Sequence, residues 1–240
     1  MADLLEVLDL QAGYGGNAVL QGVTMNVAES ETVLLLGPNG HGKSTLALAI
    51  SGGLEPTGGE VRFLGERIDG LSRAETLRAG LVHIPQGDAL FPEMTVLQNL
   101  VVASGFSREA WGQRKTALAE VFEFFPRLAE RSSQAAASLS GGERRMLALG
   151  RGLMMPSRLL VIDEPALGLA PIVADEVYSR IREIAKEGRS VLLIDESATH
   201  AEIAERVYVM QSGEIVSHVP SDKFFDHPDL VNNYFTGLSA

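Results

Sequence analysis

The chain has 240 residues, 45% of them hydrophobic and 21% charged, which is enough to bury a full core as one large α/β domain or one domain with a modest insertion. It contains no cysteine, which excludes a disulfide framework and thiolate metal sites and points to a reducing compartment. A formal net charge of −11 repels phosphate backbones, so nucleic acid is a poor partner, although one loop can still supply a local positive field for a bound nucleotide.

The first residues, Met1 to Glu6, carry an early acid and neither a basic segment nor a long apolar run, unlike a secretory leader. Short strand-like runs then alternate with helical stretches, the pattern of an α/β domain with its strands inside. The runs are Glu6 to Leu10, Thr32 to Leu36, Glu60 to Leu64, Leu81 to Ile84, Leu159 to Ile162 and Val191 to Ile194. The last two are unbroken Leu/Val/Ile runs, as expected of central parallel strands covered on both faces. Runs such as Val33 to Leu36 are far too short to cross a bilayer. Between Ser107 and Arg131, Leu118, Val121, Phe122 and Phe125 recur at one helix face and predict a helix ended by Pro126. Residues 87–138 therefore read as a helical subdomain inserted between 1–86 and 139–240. Val207 to Met210 and Glu214 to Ser217, joined through Ser212-Gly213, read as a hairpin.

Three segments carry chemistry. Gly37-Pro38-Asn39-Gly40-His41-Gly42-Lys43-Ser44-Thr45 has the spacing of a phosphate-binding loop, with a strand before it and a helix after it. Its glycines let backbone N–H groups turn inward around phosphate, and the helix N-terminus adds its dipole. In such a loop Lys43 neutralises the β- and γ-phosphates of ATP and the Ser44 hydroxyl ligates Mg²⁺. His41 falls at a free position and reads as a tolerated side chain. Next, Leu159 to Ile162 ends in Asp163-Glu164. Asp163 suits a Mg²⁺-organising carboxylate at a strand tip, and Glu164, on the other side of the strand by alternation, suits the general base for an attacking water. Finally, Ser140-Gly141-Gly142-Glu143 opens a helix and forms a second N-terminus friendly to phosphate.

In this order the motifs resemble the nucleotide-binding subunit of ABC transporters over the whole chain. The resemblance implies a P-loop NTPase core, with a mixed, largely parallel sheet and flanking helices, N-terminal antiparallel strands and an inserted helical subdomain. It implies that Tyr14 stacks on adenine and that Gln86 senses Mg²⁺ and links the core to the helical subdomain. It implies too that Ser140, Gly141, Gly142 and Glu143 complete the ATP site of an opposing subunit in a head-to-tail dimer. Phe91 to Leu100, Leu139 to Arg151, Glu164 to Pro171 and the tail Asp226 to Gly237 are similar to the branched-chain amino-acid uptake branch. In those importers two ATPase subunits sit at the cytoplasmic face beneath membrane-spanning subunits that a substrate-binding protein serves. The expected activity is Mg²⁺-dependent ATP hydrolysis coupled to import, with an exporter of lipid or polysaccharide, or a soluble ABC ATPase, as alternatives. One departure stands out: most of the superfamily places a γ-phosphate-contacting histidine where this chain has Glu196, with His200 four residues on. Slow or partner-dependent turnover is the expected result.

His83, His218 and His227 read as structural or solvated, and Trp111 as a core or subdomain contact.

Overall fold

The structure is a computed structural model that describes residues 3–226. Its chain begins with β1 (Asp3–Tyr14), a two-glycine turn and β2 (Asn17–Ala28). These pair antiparallel and, with β4 (Gly58–Phe63) and β5 (Glu66–Arg67), form a four-stranded sheet in the order β2-β1-β4-β5. The second sheet has six strands. Its centre is β3 (Thr32–Leu36), flanked in parallel by β8 (Ser190–Asp195) and β9 (Arg206–Gln211), with β7 (Leu159–Asp163) and β6 (Leu81–Ile84) continuing on one side. On the other side β10 (Glu214–Pro220) returns antiparallel to β9. Every predicted strand is present: Thr32–Leu36 and Leu81–Ile84 have the expected bounds, Leu64 falls just past the end of β4, and the others extend by one to four residues at their ends.

Strand β2 is absent from the sequence-based expectation, and the reason is local. Its buried side chains are Leu20, Val23, Met25 and Val27, an alternation broken by one extra residue at Gly22. Gly22 has φ +86° and faces Asp9, itself at φ +49°, across a register shift in β1. Such a bulge disrupts the period-two signal on which strand reading depends.

The six-stranded sheet separates two apolar clusters. Leu34, Leu36, Leu160, Ile162, Val191 and Leu193 face the helices α6 (Gly141–Leu153) and α7 (Pro171–Lys186). Val33, Leu35, Leu159, Val161, Leu192 and Ile194 face the opposite way, toward α1 (Lys43–Ile50) and the first sheet. With both faces covered, these strands are apolar at every position between their ends; truncating one such leucine to alanine costs about 2–5 kcal/mol.

The remaining helices are α2 (Arg73–Arg78), α3 (Val96–Ala103), α4 (Arg108–Phe124), α5 (Pro126–Glu130) and α8 (Ser221–Phe224). Helix α2 opens on a Ser72–Glu75 capping box, a signal present in the sequence. Helices α3, α4 and α5 fill most of residues 87–138. They pack on α6 through Val96, Leu100, Val121 and Leu128, so their apolar surface is continuous with that of the sheet. Pro126 ends α4 as expected and also starts α5 as its first residue. Trp111 differs from expectation: it is about half exposed, with the Arg114 guanidinium 4.2 Å from its ring centroid. His83 is half-buried against Ser51 Oγ and His218 stacks on Tyr208, while His227 and most of the 226–237 tail lie outside the described residues.

Candidate nucleotide site

The carboxyl ends of β3, β7 and β8 finish at one edge, with Leu36 level with Asp195 and Asp163 level with Ile194. Ligands of open α/β sheets bind at such an edge. The loop from Gly37 to Gly42 leaves β3 there and delivers the chain to α1. Gly40 and Gly42 have φ +80° and +101°, which strains any side chain there, and a Cβ on Gly37 would lie 2.5 Å from the Met210 carbonyl oxygen, which excludes one by contact. Helix α1 has no side-chain N-cap, which leaves its first N–H groups available to an anion. The Lys43 ammonium is buried; it donates to the Gly37 and Pro38 carbonyls at 2.8 and 3.1 Å and lies 3.5 Å from Glu164 Oε1.

His41 has more contacts than its free place in the motif suggests. Its Nδ1 accepts from the Ser212 N–H at 3.0 Å, and its carbonyl accepts from Gly213 at 3.0 Å. The same turn is held to β2 through Gln21, so the β9–β10 hairpin buttresses the phosphate loop.

Asp163 is buried at the end of β7, on the α1 side of the sheet. Burial raises its pKa, against the opposing pull of the Ser44 hydroxyl, Lys43 and Arg145. Its Oδ1 has no hydrogen-bond partner. An orphaned buried carboxylate oxygen next to a serine hydroxyl at a phosphate loop is the donor set a Mg²⁺–nucleotide requires. Among the described residues no group of three or more His, Cys, Asp or Glu is arranged to hold a metal alone.

Glu164 departs from simple strand alternation. Its φ is +45°, a left-handed conformation uncommon for glutamate and typical of functional strain. This turn keeps its buried carboxyl beside Lys43, where Oε2 accepts from Gln86 Nε2 at 2.8 Å. Burial lifts its pKa, opposed by Lys43 and reinforced by the charges of Asp163 and Glu196. Gln86, Lys43, Asp163 and Glu164 are thus brought together. Tyr14 stands apart at the exposed end of β1.

Ser140 caps α6. Its hydroxyl donates to Glu143 Oε2 at 2.8 Å, its N–H reaches the same oxygen at 2.9 Å, and Glu143 N–H donates back to Oγ at 3.3 Å. Glu143 also pairs with Arg131 at 2.9 Å. Although burial opposes it, these bonds hold the carboxyl below its usual pKa. Glu143 is therefore committed to the cap and the ion pair within this chain.

The sequence reading omitted Arg145. Only 3% exposed, it donates to the carbonyls of Pro165 (2.7 Å), Pro85 (3.0 Å), Gly87 and Asp163 (2.9 Å). One guanidinium therefore joins the segment bearing Gln86 to the turn bearing Glu164. Its helical phase, one residue before buried Met146 and three after buried Gly142, was the available signal.

A family model described as ABC transporter matches residues 20–167. The chain belongs to the ABC transporter family. It is 36% identical over 225 residues to the high-affinity branched-chain amino acid transport ATP-binding protein BraG of Pseudomonas aeruginosa, covering 93% of this chain and 96% of that one. BraF of the same organism is 32% identical, with 96% and 97% covered. The Nod factor export ATP-binding protein I of Rhizobium meliloti is 33% identical over 89% of this chain and 63% of its own length. Among solved structures, the ADP conformation of an ATP-binding cassette of an ABC transporter superposes with a TM-score of 0.85 at 27% identity, covering 99% of this chain and 100% of that one. As an ABC ATPase, the chain brings its phosphate loop and acidic strand tip to one sheet edge. No helix among the described residues is long and apolar enough to cross a membrane.

Proposed function

We propose that this chain is the ATP-binding and ATP-hydrolysing subunit of an importer for branched-chain or related amino acids. The observation that carries the activity is the convergence of Lys43, Gln86, Asp163 and Glu164 at the end of the phosphate loop. The relatives BraG and BraF, matched over nearly their full lengths, support the transport class. The Nod factor export relatives keep an exporter as the second reading.

In this reading Tyr14 stacks on adenine, and the N–H groups of residues 37–45 cradle the phosphates. Ser44, Asp163 and Gln86 hold Mg²⁺, which supplies charge neutralisation at the β- and γ-phosphates. ATP draws Lys43 from its internal carbonyls and from Glu164. Glu164, held by Gln86, then accepts a proton from the attacking water. Ser140, Gly141 and Gly142 serve the phosphate of a second ATPase subunit. Residues 87–138 act as a helical subdomain that passes closure to membrane-spanning subunits near Phe91 to Asn99, at the cytoplasmic face. A substrate-binding protein acts upstream, and nucleic acid has no part. With Glu196 in place of the usual histidine, turnover is slow or depends on a partner subunit.

The test is ATP hydrolysis by the purified chain over a wide range of protein concentrations, beside Glu164→Gln. A rate that rises faster than linearly and disappears in the variant supports shared sites between copies. ATP binding without turnover at any concentration supports dependence on a partner, and absence of ATP binding refutes the proposal.

A further inference from the structure

Glu196 is fixed at both ends. Its N–H donates to Asp195 Oδ1 at 2.7 Å, as does that of Ser197 at 3.1 Å, and Asp195 is itself bonded by the Tyr178 hydroxyl. Its side chain reaches back across the site, where Oε2 accepts from Asn39 Nδ2 in the phosphate loop. The neighbouring histidine is engaged elsewhere: His200 stacks on Tyr178 at 3.8 Å between ring centroids, and its Nε2 lies 3.0 Å from Asp175 Oδ1. Glu196 and Glu164 line one cavity of about 290 Å³. The cation beside Glu164, Lys43, is already shared among two carbonyls and that carboxylate.

We propose that Glu196 is a specificity-determining residue that sets this site to hold a nucleoside diphosphate in preference to the triphosphate. The inference rests on the reading of residues 37–45 as an ATP site. A β-phosphate seated on the loop N–H groups leaves the Asn39–Glu196 bond in place. A γ-phosphate extends the anion toward the Glu196 carboxylate, and like charges a few ångströms apart repel. The triphosphate must also break the Asn39 bond and turn Glu196 aside, against a backbone pinned by Asp195. Occupancy by ATP therefore requires a higher ratio of ATP to ADP than at a site with a neutral or cationic group at this position.

The experiment measures dissociation constants for ATP and ADP by calorimetry at fixed excess Mg²⁺, with Glu164→Gln as the background so that ATP survives the titration. The chain is expected to bind ADP at least tenfold more tightly than ATP, about 1.4 kcal/mol. Adding Glu196→Gln, which keeps an acceptor for Asn39, is expected to bring the ratio close to one by strengthening ATP binding. ADP affinity and Tm serve as the controls for folding, and Glu196→Ala is the second variant should the glutamine form fail them. Equal affinities in the Glu196 chain, or equal effects of substitution on both nucleotides, would overturn the proposal. Failure to bind either nucleotide would instead refute the ATPase reading.

Discussion

Replacing Arg145 by methionine keeps most of the side-chain volume and removes every donor. Four carbonyls then lose their partner, and those of Asp163 and Pro165 belong to buried residues. A buried acceptor left unpaired costs about 1–3 kcal/mol. The Pro85 and Gly87 carbonyls sit on an exposed segment and can turn to water at little cost. Against this stands relief of the guanidinium's own desolvation, the chief reason its pKa lies below the ordinary value. Two such acceptors, offset in part by that relief, leave a net loss of about 2–4 kcal/mol. For a chain of this size that lowers Tm by roughly 4–16 °C. Thermal unfolding followed by circular dichroism reads this directly. The Gln86 and Glu164 segments also lose their common anchor, so kcat should fall more than ATP affinity in the folded fraction. A Tm within 2 °C of the parent, or a loss of affinity with kcat intact, would refute the assignment of Arg145 as the tie between them.

Glu164 acts as a base only when ionised, and burial lifts its pKa despite Lys43. The acid limb of the hydrolysis rate should accordingly fall above the ordinary carboxylate value of about 4, and a limb at or below that value would remove Glu164 from the role. His83 is held neutral, its pKa lowered by burial and the nearby Arg73 to about 4. The unfolded chain takes up that proton near pH 6.5, so stability is lost as pH falls from about 6.5 to 4, by roughly 3 kcal/mol. Urea unfolding of His83→Gln beside the parent should show the stability difference moving by roughly 3 kcal/mol in the variant's favour as pH falls across this window; a constant gap would refute it.

Much of the fold was legible because its central strands are apolar on both faces and its phosphate loop has fixed spacing. What escaped shares one trait: the information lay in long-range geometry. Strand β2 hid behind the bulge at Gly22 and Asp9. The proximity of Glu164 to Lys43 depends on a backbone angle that alternation cannot supply. His41 fills a permissive position in its own segment, and only the hairpin 171 residues later gives its ring nitrogen a partner. Arg145 looked like one more charge in a helix start already rich in arginine, and its four acceptors come from two segments distant in sequence. The acidic pair and the glycine-rich helix start, by contrast, could be read because each is contiguous.

The Ser140 cap has a consequence for assembly. In the lone subunit the Ser140 hydroxyl and N–H are already satisfied by Glu143, which Arg131 steadies in turn. Under the proposed pairing of two ATPase subunits, this serine is therefore self-sealed rather than sticky. An unpaired copy holds its cap serine occupied, and an incoming phosphate would have to displace a carboxylate three residues away. Under that proposal recruitment becomes an exchange of one anion for another, which would favour nucleotide-loaded encounters over chance collisions of empty subunits.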